Sequence, residues 1–342
     1  MPRLPHRPRL PRLLRLPRLV VFAAGTAALG VLAAGPAPAA AGKPGGDPTV
    51  SDPSVLAHFD FGAGQTPENI ALEPDGSADV TWAFARQIAR VDPEGHTEVL
   101  AELPAVTDPQ TPNLGAAIVT GIARAHDGVL YVAYATGTAE TGIWRVAPDG
   151  GEPEQIAQLP ANGFPNGIAI DEECGTLYAA DSVLGRVWSV QLDDPKPRVW
   201  ASGNALLPAA AGGFGANGLK LHDGAVWVTN SDRGTLLRIP VGPDPDRAAG
   251  PVETRATGLD GVDDFAFTGH GDTVLAARIL KSELDLVRPD GTHKAVLTAK
   301  DGLDNPTSVA VRGKTVYVNS AAYFTTPDPD PNLLLARISK DK

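Results

Sequence analysis

The sequence has little of what would support a disulfide-stabilised, helical or nucleic-acid-binding protein. Its 342 residues include a single cysteine, Cys174, so no internal disulfide can form. No long stretch shows the 3.6-residue period of an amphipathic helix, and after residue 41 no apolar run is long enough to cross a bilayer. Positive charge is scarce, since the formal net charge is −11, which argues against nucleic acid or an anionic membrane as a partner.

The N-terminus has the pattern of a secretory signal. Six arginines and no acid precede the apolar run "LVVFAAGTAALGVLAAG", and the small-residue sequence "APAAAG" follows at once. This order predicts a signal peptide over residues 1–41, cleaved near Ala39 or Ala41, and an extracellular protein. A retained membrane anchor is the alternative. Cleavage would leave a chain with a net charge of −17, in which residues 42–53 form a flexible segment before the folded domain.

Six short segments, each with a polar residue before alternating apolar positions, return along the rest of the chain. The clearest are "PNGIAI" at 165–170 and "ANGLKL" at 216–221. Aligned on their apolar positions, the segments bring six polar residues into one register at spacings of 44 to 52: Glu68, Thr120, Asn166, Asn217, Asp263 and Thr307. Strand repeats of this length indicate one four-stranded blade each. The sequence therefore predicts an all-β fold, a six-bladed β-propeller over residues 54–342.

The last repeat is one strand short. It offers three strands, whereas the segment "SVLAHFDF" at 54–61 has fourth-strand character and precedes the first repeat. We expect this N-terminal strand to complete the last blade and close the ring, which would remove an unpaired sheet edge.

The aligned polar residues are candidates for a binding site. Because the first strand of each blade lines the channel of a propeller, residues at the start of these strands converge on the axis. Two carboxylates and two amides form a hard oxygen set that suits Ca²⁺ and disfavours metals preferring imidazole or thiolate. Four protein oxygens leave positions for water or a substrate. For any single position, a strand-initiating turn residue is the alternative interpretation.

These motifs resemble the senescence marker protein/gluconolactonase family, which includes regucalcin, over roughly residues 54 to 339. The resemblance implies a propeller that depends on calcium, or on another divalent cation. Its metal ligands are a Glu on the first blade, an Asn on the fourth and an Asp on the fifth, with a further Asn on the third blade at the pocket. In this chain, the matching residues are Glu68 in "PENIAL", Asn217 in "ANGLKL", Asp263 in "VDDFAF" and Asn166 in "PNGIAI".

The same resemblance implies that Asp263 is both a ligand and the general base or nucleophile. Asp264 occupies a position that is glycine in three other repeats, so a register shift of one residue would exchange the two. Thr120 and Thr307 complete the ring as further candidates for contacts with the metal or the substrate.

The sequence departs from the family pattern at the pocket. Gluconolactonase-type members often carry an arginine shortly before the third-blade Asn, where this chain has Phe164. Together with Phe214, Phe164 predicts a less polar pocket, suited to a hydrophobic lactone, ester or phosphotriester. The histidine dyad of the paraoxonase pattern is missing, because His126, His222 and His270 lie in turn sequences.

Taken together, these features predict a secreted calcium-dependent hydrolase of the lactonase type. We expect a monomer that acts on a small molecule and that, after signal cleavage, binds neither nucleic acid nor a membrane. The alternative is a non-catalytic propeller in which an ion stiffens the channel while the loops bind a ligand or a protein, because propellers host many unrelated functions.

Overall fold

A computed structural model describes residues 46–243 and 247–339 of the chain. The signal predicted over residues 1–41 lies outside the described residues. Within them, 24 strands form six antiparallel four-stranded sheets, and two short 3₁₀ helices span Phe61–Ala63 and Ala299–Asp301. The prediction of an all-β six-bladed propeller is confirmed. None of the helices in these residues has the length and hydropathy that a bilayer crossing requires.

The strands are numbered in chain order. The first blade contains β2 (Pro67–Leu72), β3 (Ala78–Trp82), β4 (Gln87–Val91) and β5 (Thr97–Glu102). The second contains β6 (Ile118–Arg124), β7 (Leu130–Ala135), β8 (Gly142–Val146) and β9 (Glu154–Gln158). The third contains β10 (Pro165–Asp171), β11 (Thr176–Asp181), β12 (Arg186–Gln191) and β13 (Arg198–Ser202). The fourth contains β14 (Ala216–His222), β15 (Ala225–Asn230), β16 (Thr235–Pro240) and β17 (Glu253–Ala256).

The fifth blade contains β18 (Val262–Phe267), β19 (Val274–Arg278), β20 (Glu283–Val287) and β21 (His293–Thr298). The last contains β22 (Pro306–Arg312), β23 (Thr315–Ser320), β24 (Asn332–Ser339) and, from the other end of the chain, β1 (Thr49–His58). Strand β1 pairs antiparallel with β24, from Thr49 opposite Ser339 to His58 opposite Asn332. The ordered strand therefore begins five residues before the predicted domain start at residue 54, inside the segment that we expected to be flexible.

The core lies between neighbouring blades, where the two faces of each sheet are covered. Every residue of the second strands β7, β11 and β15 is buried. Sequences such as "LYVAYA" and "AVWVTN" carry apolar residues on both faces of the strand, so both faces are covered. Each fully buried large side chain contributes about 1.5–3 kcal/mol relative to an exposed one. The first strands contact one another in a closed circle, β2, β6, β10, β14, β18, β22 and again β2, and their starts are thereby brought together around the axis.

The aligned polar residue of each repeat lies at a β-bulge at the start of the first strand of its blade. In the first blade, Pro67 pairs with Trp82 and Ile70 with Val80, so two residues of the first strand stand opposite one residue of the second. The same shift occurs at the equivalent place in the other five blades. A bulge leaves one residue outside the ladder and re-aims the neighbouring side chains. The six-fold repeat of the motif is therefore a repeat of this bulge.

Small residues at the second bulge position let the blades approach closely. A Cβ atom at Gly121 would collide with the backbone of Asn166, and one at Gly167 would collide with that of Asn217. Asp264 occupies the same position in the fifth blade, where its carboxylate fits against Gly218 of the fourth. The fifth blade thus carries two consecutive acids at its bulge, with the space for the second supplied by a glycine of its neighbour.

Candidate functional site

The bulges bring Glu68, Asn217 and Asp263 together at one end of the channel. Asn217 and Asp263 are buried, whereas Glu68 keeps some contact with solvent. The Asn217 side chain and the charge of Glu68 both act on the pKa of Asp263, which places the three side chains close to one another. These three residues come from the first, fourth and fifth blades, so the fold assembles the three predicted metal ligands into one cluster.

Neither of the two carboxylates in this cluster has a basic partner. In residues 46–243 and 247–339, no Lys, Arg or His forms an ion pair with Glu68 or Asp263. Burial, and then the charge of Asp264, raises the pKa of Glu68 to about 7, against the opposing hydrogen bond from Tyr323. Burial and the charges of Glu68 and Asp264 raise the pKa of Asp263 well above its ordinary value. A cation beside these two carboxylates would favour their ionised forms and offset the effect of burial.

Two serines orient the amides of the site. The Asn217 Nδ2 atom donates to Ser231 Oγ at 2.8 Å, and the Asn166 Nδ2 atom donates to Ser182 Oγ at 3.2 Å. Because the amide nitrogen is used in each case, the amide oxygen is left as the atom that can face a cation. Ser182 is itself held by a 2.7 Å bond to the carbonyl of Ala216. The two amides therefore present a matched pair of hard oxygen donors.

The neighbouring acid, Asp264, has a different environment. Lys220 Nζ lies 2.6 Å from Asp264 Oδ2, and Asn69 Nδ2 reaches the same oxygen at 3.3 Å. Asn69 belongs to the first blade and Asp264 to the fifth, so this contact crosses the channel. The other carboxylate oxygen, Oδ1, is buried without a partner in the described residues. Of the two consecutive acids, Asp263 is the one that lacks a cation.

The two threonines of the predicted ring are used between blades. Thr307 Oγ1 donates to the carbonyl of Pro67 at 2.8 Å, and Thr120 Oγ1 donates to that of Pro165 at 2.9 Å. Both threonines are fully buried. Each accepting carbonyl directly precedes a site residue, Glu68 or Asn166. The structure thus uses the two hydroxyls in bonds between neighbouring blades that hold the bulges.

Phe164 belongs to an apolar cluster that adjoins the site. Its ring packs edge to face on Phe214, with the ring centroids 5.1 Å apart. The cluster also contains Ala83, Leu114, Ala116, Ile118, Ala135, Val183 and Tyr323. Phe164 is itself buried, so it acts in this structure as a packing residue. The aromatic rings of the cluster nevertheless give the channel mouth an apolar lining next to its carboxylates.

Tyr323 connects the apolar cluster to the acids. Its hydroxyl donates to Glu68 Oε2 at 2.7 Å. Burial and the charge of Glu68 raise the pKa of Tyr323 well above its ordinary value, so the hydroxyl keeps its proton. The ring stands edge to face against the exposed Phe84, with centroids 5.8 Å apart. Tyr323 follows the second strand of the last blade, in a loop with no counterpart in the other repeats, so periodicity gave no signal for it.

The sequence analysis also did not identify Ser182, Ser231 and Lys220 as residues of the site. Ser182 and Ser231 each follow a second strand, in the related sequences "AADS" and "VTNS". This recurrence is a signal that the same repeat alignment, extended to the second strands, would have found. Lys220 is harder to recognise, because it stands at a position that is alanine in the other five repeats and its function appears only through Asp264.

The donor set fits a hard divalent cation. One buried and one partly buried carboxylate, neither with a basic partner in the described residues, and two oriented amide oxygens are the ligand types that Ca²⁺ prefers, and they include no sulfur or imidazole. Glu68, Asn217 and Asp263 would hold the ion, with Asn166 beside it. Two surface clefts of about 280 and 270 Å³ lie on outer strands, and neither is lined by any of these residues.

Comparison with known proteins supports the fold. No family model matches the chain, and no curated protein matches it. A solved structure of the calcium-binding protein regucalcin from Agrobacterium tumefaciens is 16% identical, covers 85% of this chain and 95% of that chain, and has a TM-score of 0.62. A gluconolactonase from Xanthomonas campestris is 13% identical, with 87% and 99% covered and a TM-score of 0.59. The chain has the fold of the regucalcin and gluconolactonase propellers.

Other chemistries share this fold. The PQQ-bound aldose sugar dehydrogenase from Streptomyces coelicolor is 16% identical, covers 86% of this chain and 99% of that chain, and has a TM-score of 0.61. At these identities the likeness shows the fold alone. The predicted resemblance to regucalcin and gluconolactonase is confirmed at that level, and the activity has to be inferred from the site.

Proposed function

We propose that this protein is a calcium-dependent hydrolase of the lactonase type that acts on a lactone or another ester at the channel mouth. One observation carries the proposal: Asp263 is buried and Glu68 partly buried, and neither carboxylate has a basic partner in the part of the chain that the structure describes, whereas the adjacent Asp264 is paired with Lys220. Buried charges are normally paired or bind metals, so the exception marks a functional site. Ca²⁺ is the favoured ion, and another divalent cation of similar hardness is the alternative.

The residues of the site have distinct roles in this proposal. Glu68, Asn217 and Asp263 bind the cation, and Ser231 keeps the Asn217 oxygen turned toward it. A bound cation would supply Lewis-acid stabilisation to the oxygen of a carbonyl group under attack. Asp263 favours its protonated form in the metal-free protein. With a cation beside it, Asp263 would be ionised, and its carboxylate would accept the proton of the attacking water or attack as a nucleophile. Tyr323 holds Glu68 in place through its hydroxyl.

The surroundings of the site favour an apolar substrate. Phe84 and Phe324 are exposed, and both pack on Tyr323, which in turn bonds Glu68. A sugar lactone would need several polar partners at this mouth, whereas an alkyl lactone or aryl ester would bury its apolar part against these rings. We therefore expect a higher kcat/KM for an alkyl-substituted lactone or an aryl ester than for gluconolactone. A phosphotriester is the other candidate of suitable polarity.

A non-catalytic binding propeller is the second candidate. It is favoured by the apolar cluster beside the acids, in which Phe164 is buried and Tyr323 already occupies one oxygen of Glu68. In that case a cation would stiffen the channel and the exposed rings at the mouth would bind a ligand or a protein. The two candidates share the metal site and differ in whether a substrate reaches Asp263.

The test combines calorimetry and kinetics on the same preparation. Calcium binding is measured by titration, and hydrolysis of chromogenic lactone, aryl ester and phosphotriester substrates is measured with calcium and with chelator. The hydrolase proposal expects one calcium per chain and turnover that chelator abolishes and calcium restores. Calcium binding without turnover of any substrate supports the binding propeller. If the protein bound neither calcium nor another hard divalent cation, both candidates would be contradicted.

We also propose that the protein is exported and acts as a monomer on a small molecule. The support is the arginine-rich and apolar N-terminus followed by "APAAAG", together with the acidic charge of the remaining chain. Mass spectrometry of protein recovered from culture medium should show an N-terminus near Ala40 or Gly42, and recovery of an intact Met1 there would contradict signal cleavage.

A further inference from the structure

A second group of potential metal ligands lies at the other end of the fourth blade. Strand β14 begins beside the channel cluster, with Asn217, and ends at His222, about 16 Å away at 3.3 Å per residue. In the described residues, one group of three His, Cys, Asp or Glu side chains has all of its ligand atoms within 4.8 Å of one another: His222, Asp223 and Asp272. Nothing in the proposed hydrolase site uses these residues.

A tight turn and two aromatic rings fix the position of His222. His222 pairs with Ala225 across a two-residue hairpin in which Asp223 and Gly224 both have positive φ, +44° and +64°, the conformation that a type I′ turn requires. The imidazole stacks on Phe267 of the fifth blade, with ring centroids 3.8 Å apart and planes inclined by 20°. Trp227 packs against the same imidazole edge to face. The ring is therefore held in one orientation between the two blades.

The Nε2 atom of His222 points between two carboxylates. It lies 3.3 Å from Asp272 Oδ1 and 3.4 Å from Asp223 Oδ2. This nitrogen is shielded from solvent, yet it has no hydrogen-bond partner in the described part of the chain. Ligands 2.0 to 2.2 Å from a tetrahedral Zn²⁺ stand about 3.4 Å from one another. The two separations from Nε2 are those of neighbouring ligands around one ion, and the carboxylate oxygens lie within 4.8 Å of each other.

The second oxygen of Asp272 has its own partner. Arg255 Nη2 lies 3.5 Å from Asp272 Oδ2, and the guanidinium stands 5.7 Å from the centre of the Trp227 ring. A metal-binding carboxylate is commonly oriented in this way by a neighbour that engages its other oxygen. Asp223 is 77% exposed, so an ion could enter from solvent and a fourth coordination position would face water.

We propose that His222, Asp223 and Asp272 bind a zinc ion that links the fourth and fifth blades. One imidazole and two carboxylates balance the charge of Zn²⁺, and the imidazole disfavours Ca²⁺ and Mg²⁺, which take oxygen ligands. The fourth ligand is water. The site is separate from the channel cluster, so the protein has a place for a borderline transition metal in addition to the place for a hard cation.

The second blade provides a matched control. It carries the same "HDG" tripeptide, at His126, but there the hairpin is longer and the histidine lies beyond the end of the strand. His126 is 93% exposed and faces one carboxylate, Glu172, with Nδ1 and Oε1 2.5 Å apart. An exposed histidine with a single acidic partner should bind zinc weakly.

The test uses the full chain without a histidine tag, in excess CaCl₂ so that the channel site is filled. Zn²⁺ binding is measured by calorimetry, and CoCl₂ is used as a coloured probe whose visible absorption reports tetrahedral coordination. We expect one Zn²⁺ per chain in the parent and in His126→Gln. His222→Gln and Asp272→Asn should each weaken binding by about 100-fold or more, since even residues behind the ligands change affinity 10–100-fold.

Two further measurements make the outcome decisive. Zinc should raise the melting temperature of the parent and of His126→Gln but not of His222→Gln. If His222→Gln misfolds, Asp272→Asn still tests the site, because Asp272 lies in a partly exposed turn. Asp263→Asn should bind zinc like the parent. Equal zinc binding by His222→Gln and His126→Gln would overturn the proposal, and so would a parent protein that binds neither Zn²⁺ nor Co²⁺ at millimolar concentration.

Discussion

The two ends of strand β2 carry glutamates with opposite electrostatic environments. At the start of the strand, Glu68 has no basic partner in the described residues, and its pKa is raised to about 7. Just past its end, Glu73 lies 2.8 Å from both Arg90 and Arg124. Burial opposes ionisation there too, but the hydrogen bond from Arg124 and the charges of the two arginines lower the pKa of Glu73.

This difference shows that the protein can pair its buried acids where no function requires them free. Arg90 also binds Asp79 through Nε at 2.7 Å, and thus holds two carboxylates of the first blade. At the channel mouth, by contrast, Lys220 pairs with Asp264, and Glu68 and Asp263 have no basic partner within residues 46–243 and 247–339. An ion-paired end holds the blades together, whereas an unpaired end is open to a cation from solution.

The strongest test of the comparison is Asp263→Asn. The amide keeps the size of the side chain and one oxygen ligand but removes a negative charge and the proposed base. We expect weaker calcium binding and a fall in kcat of at least about 10²–10⁴-fold, the range for loss of a general base. Calcium calorimetry and steady-state kinetics measure the two effects.

Asp264→Asn is the comparator for that variant. It removes the partner of Lys220, so stability should suffer more than calcium affinity. If Asp264→Asn lost calcium and turnover while Asp263→Asn kept both, the ligand would be Asp264 and the register would be shifted by one residue.

A second test removes an arginine from the ion-paired end of β2, so that the carboxylates there lose a basic partner, as at the channel mouth. Arg90→Met removes the cation shared by Glu73 and Asp79, and Asp79 is fully buried. Leaving a buried carboxylate unpaired costs about 3–5 kcal/mol of unfolding free energy, and we expect the lower part of this range because Arg124 remains beside Glu73. Denaturant unfolding measures the loss, while calcium affinity should be unchanged.

Arg145→Met is the matched control for this change. Arg145 pairs with Glu154 between two solvent-exposed side chains, and an exposed pair contributes about 0–1 kcal/mol. Equal losses for Arg90→Met and Arg145→Met would show that the buried network contributes nothing special to the stability of the first blade.

A third test uses pH on the metal-free protein. Because the folded state holds a proton on Glu68 up to about pH 7, against an ordinary pKa of 4.5, stability should be greatest below pH 4.5 as far as this group is concerned. It should then fall as pH rises toward 7, by at most about 1.4 kcal/mol per pH unit. Melting temperatures in chelator, with Glu68→Gln beside the parent, measure the effect.

Glu73→Gln is the control that distinguishes the titration of Glu68 from that of Glu73, at the other end of β2. Its pKa is lowered, so Glu73 contributes stability that is present above its ordinary pKa and lost as pH falls below it. The fall in stability between pH 4.5 and 7 should therefore persist in Glu73→Gln and become smaller in Glu68→Gln, in which Asp263, whose pKa is also raised, still contributes. If the pH-dependent fall in stability disappeared in Glu73→Gln but not in Glu68→Gln, the titrating group would be Glu73, and our assignment to Glu68 would be wrong.

The sequence contained most of the fold and about half of the site. Six repeats with one polar register predicted the blades and brought Glu68, Asn217 and Asp263 to one place, because equivalent positions in a propeller share a circle. It did not reveal the β-bulge, which is a feature of backbone pairing. For this reason the register alone could not separate a proposed ligand such as Asp263 from Thr307, whose hydroxyl turns to the next blade. Tyr323 was missed because a single loop residue has no period.

The smallest predicted effect tests whether the six aligned polar residues are divided into proposed ligands, such as Asp263, and threonines that bond the next blade, such as Thr307. Thr307→Val keeps the shape of the side chain but removes the hydroxyl that donates to the Pro67 carbonyl, so this buried acceptor loses its partner at a cost of about 1–2 kcal/mol. Thr235→Val is the matched control, because the buried Thr235 hydroxyl has no hydrogen-bond partner in the described residues and its loss should be neutral. Both variants should bind calcium like the parent, since the Thr307 hydroxyl is used by the Pro67 carbonyl and Thr235 lies on β16, a third strand, whereas the proposed ligands lie on first strands. Chemical unfolding and calcium calorimetry on the pair decide the matter: if Thr307→Val bound calcium far more weakly at unchanged stability, its oxygen would belong with Glu68 and Asp263 and the division of the ring would be wrong.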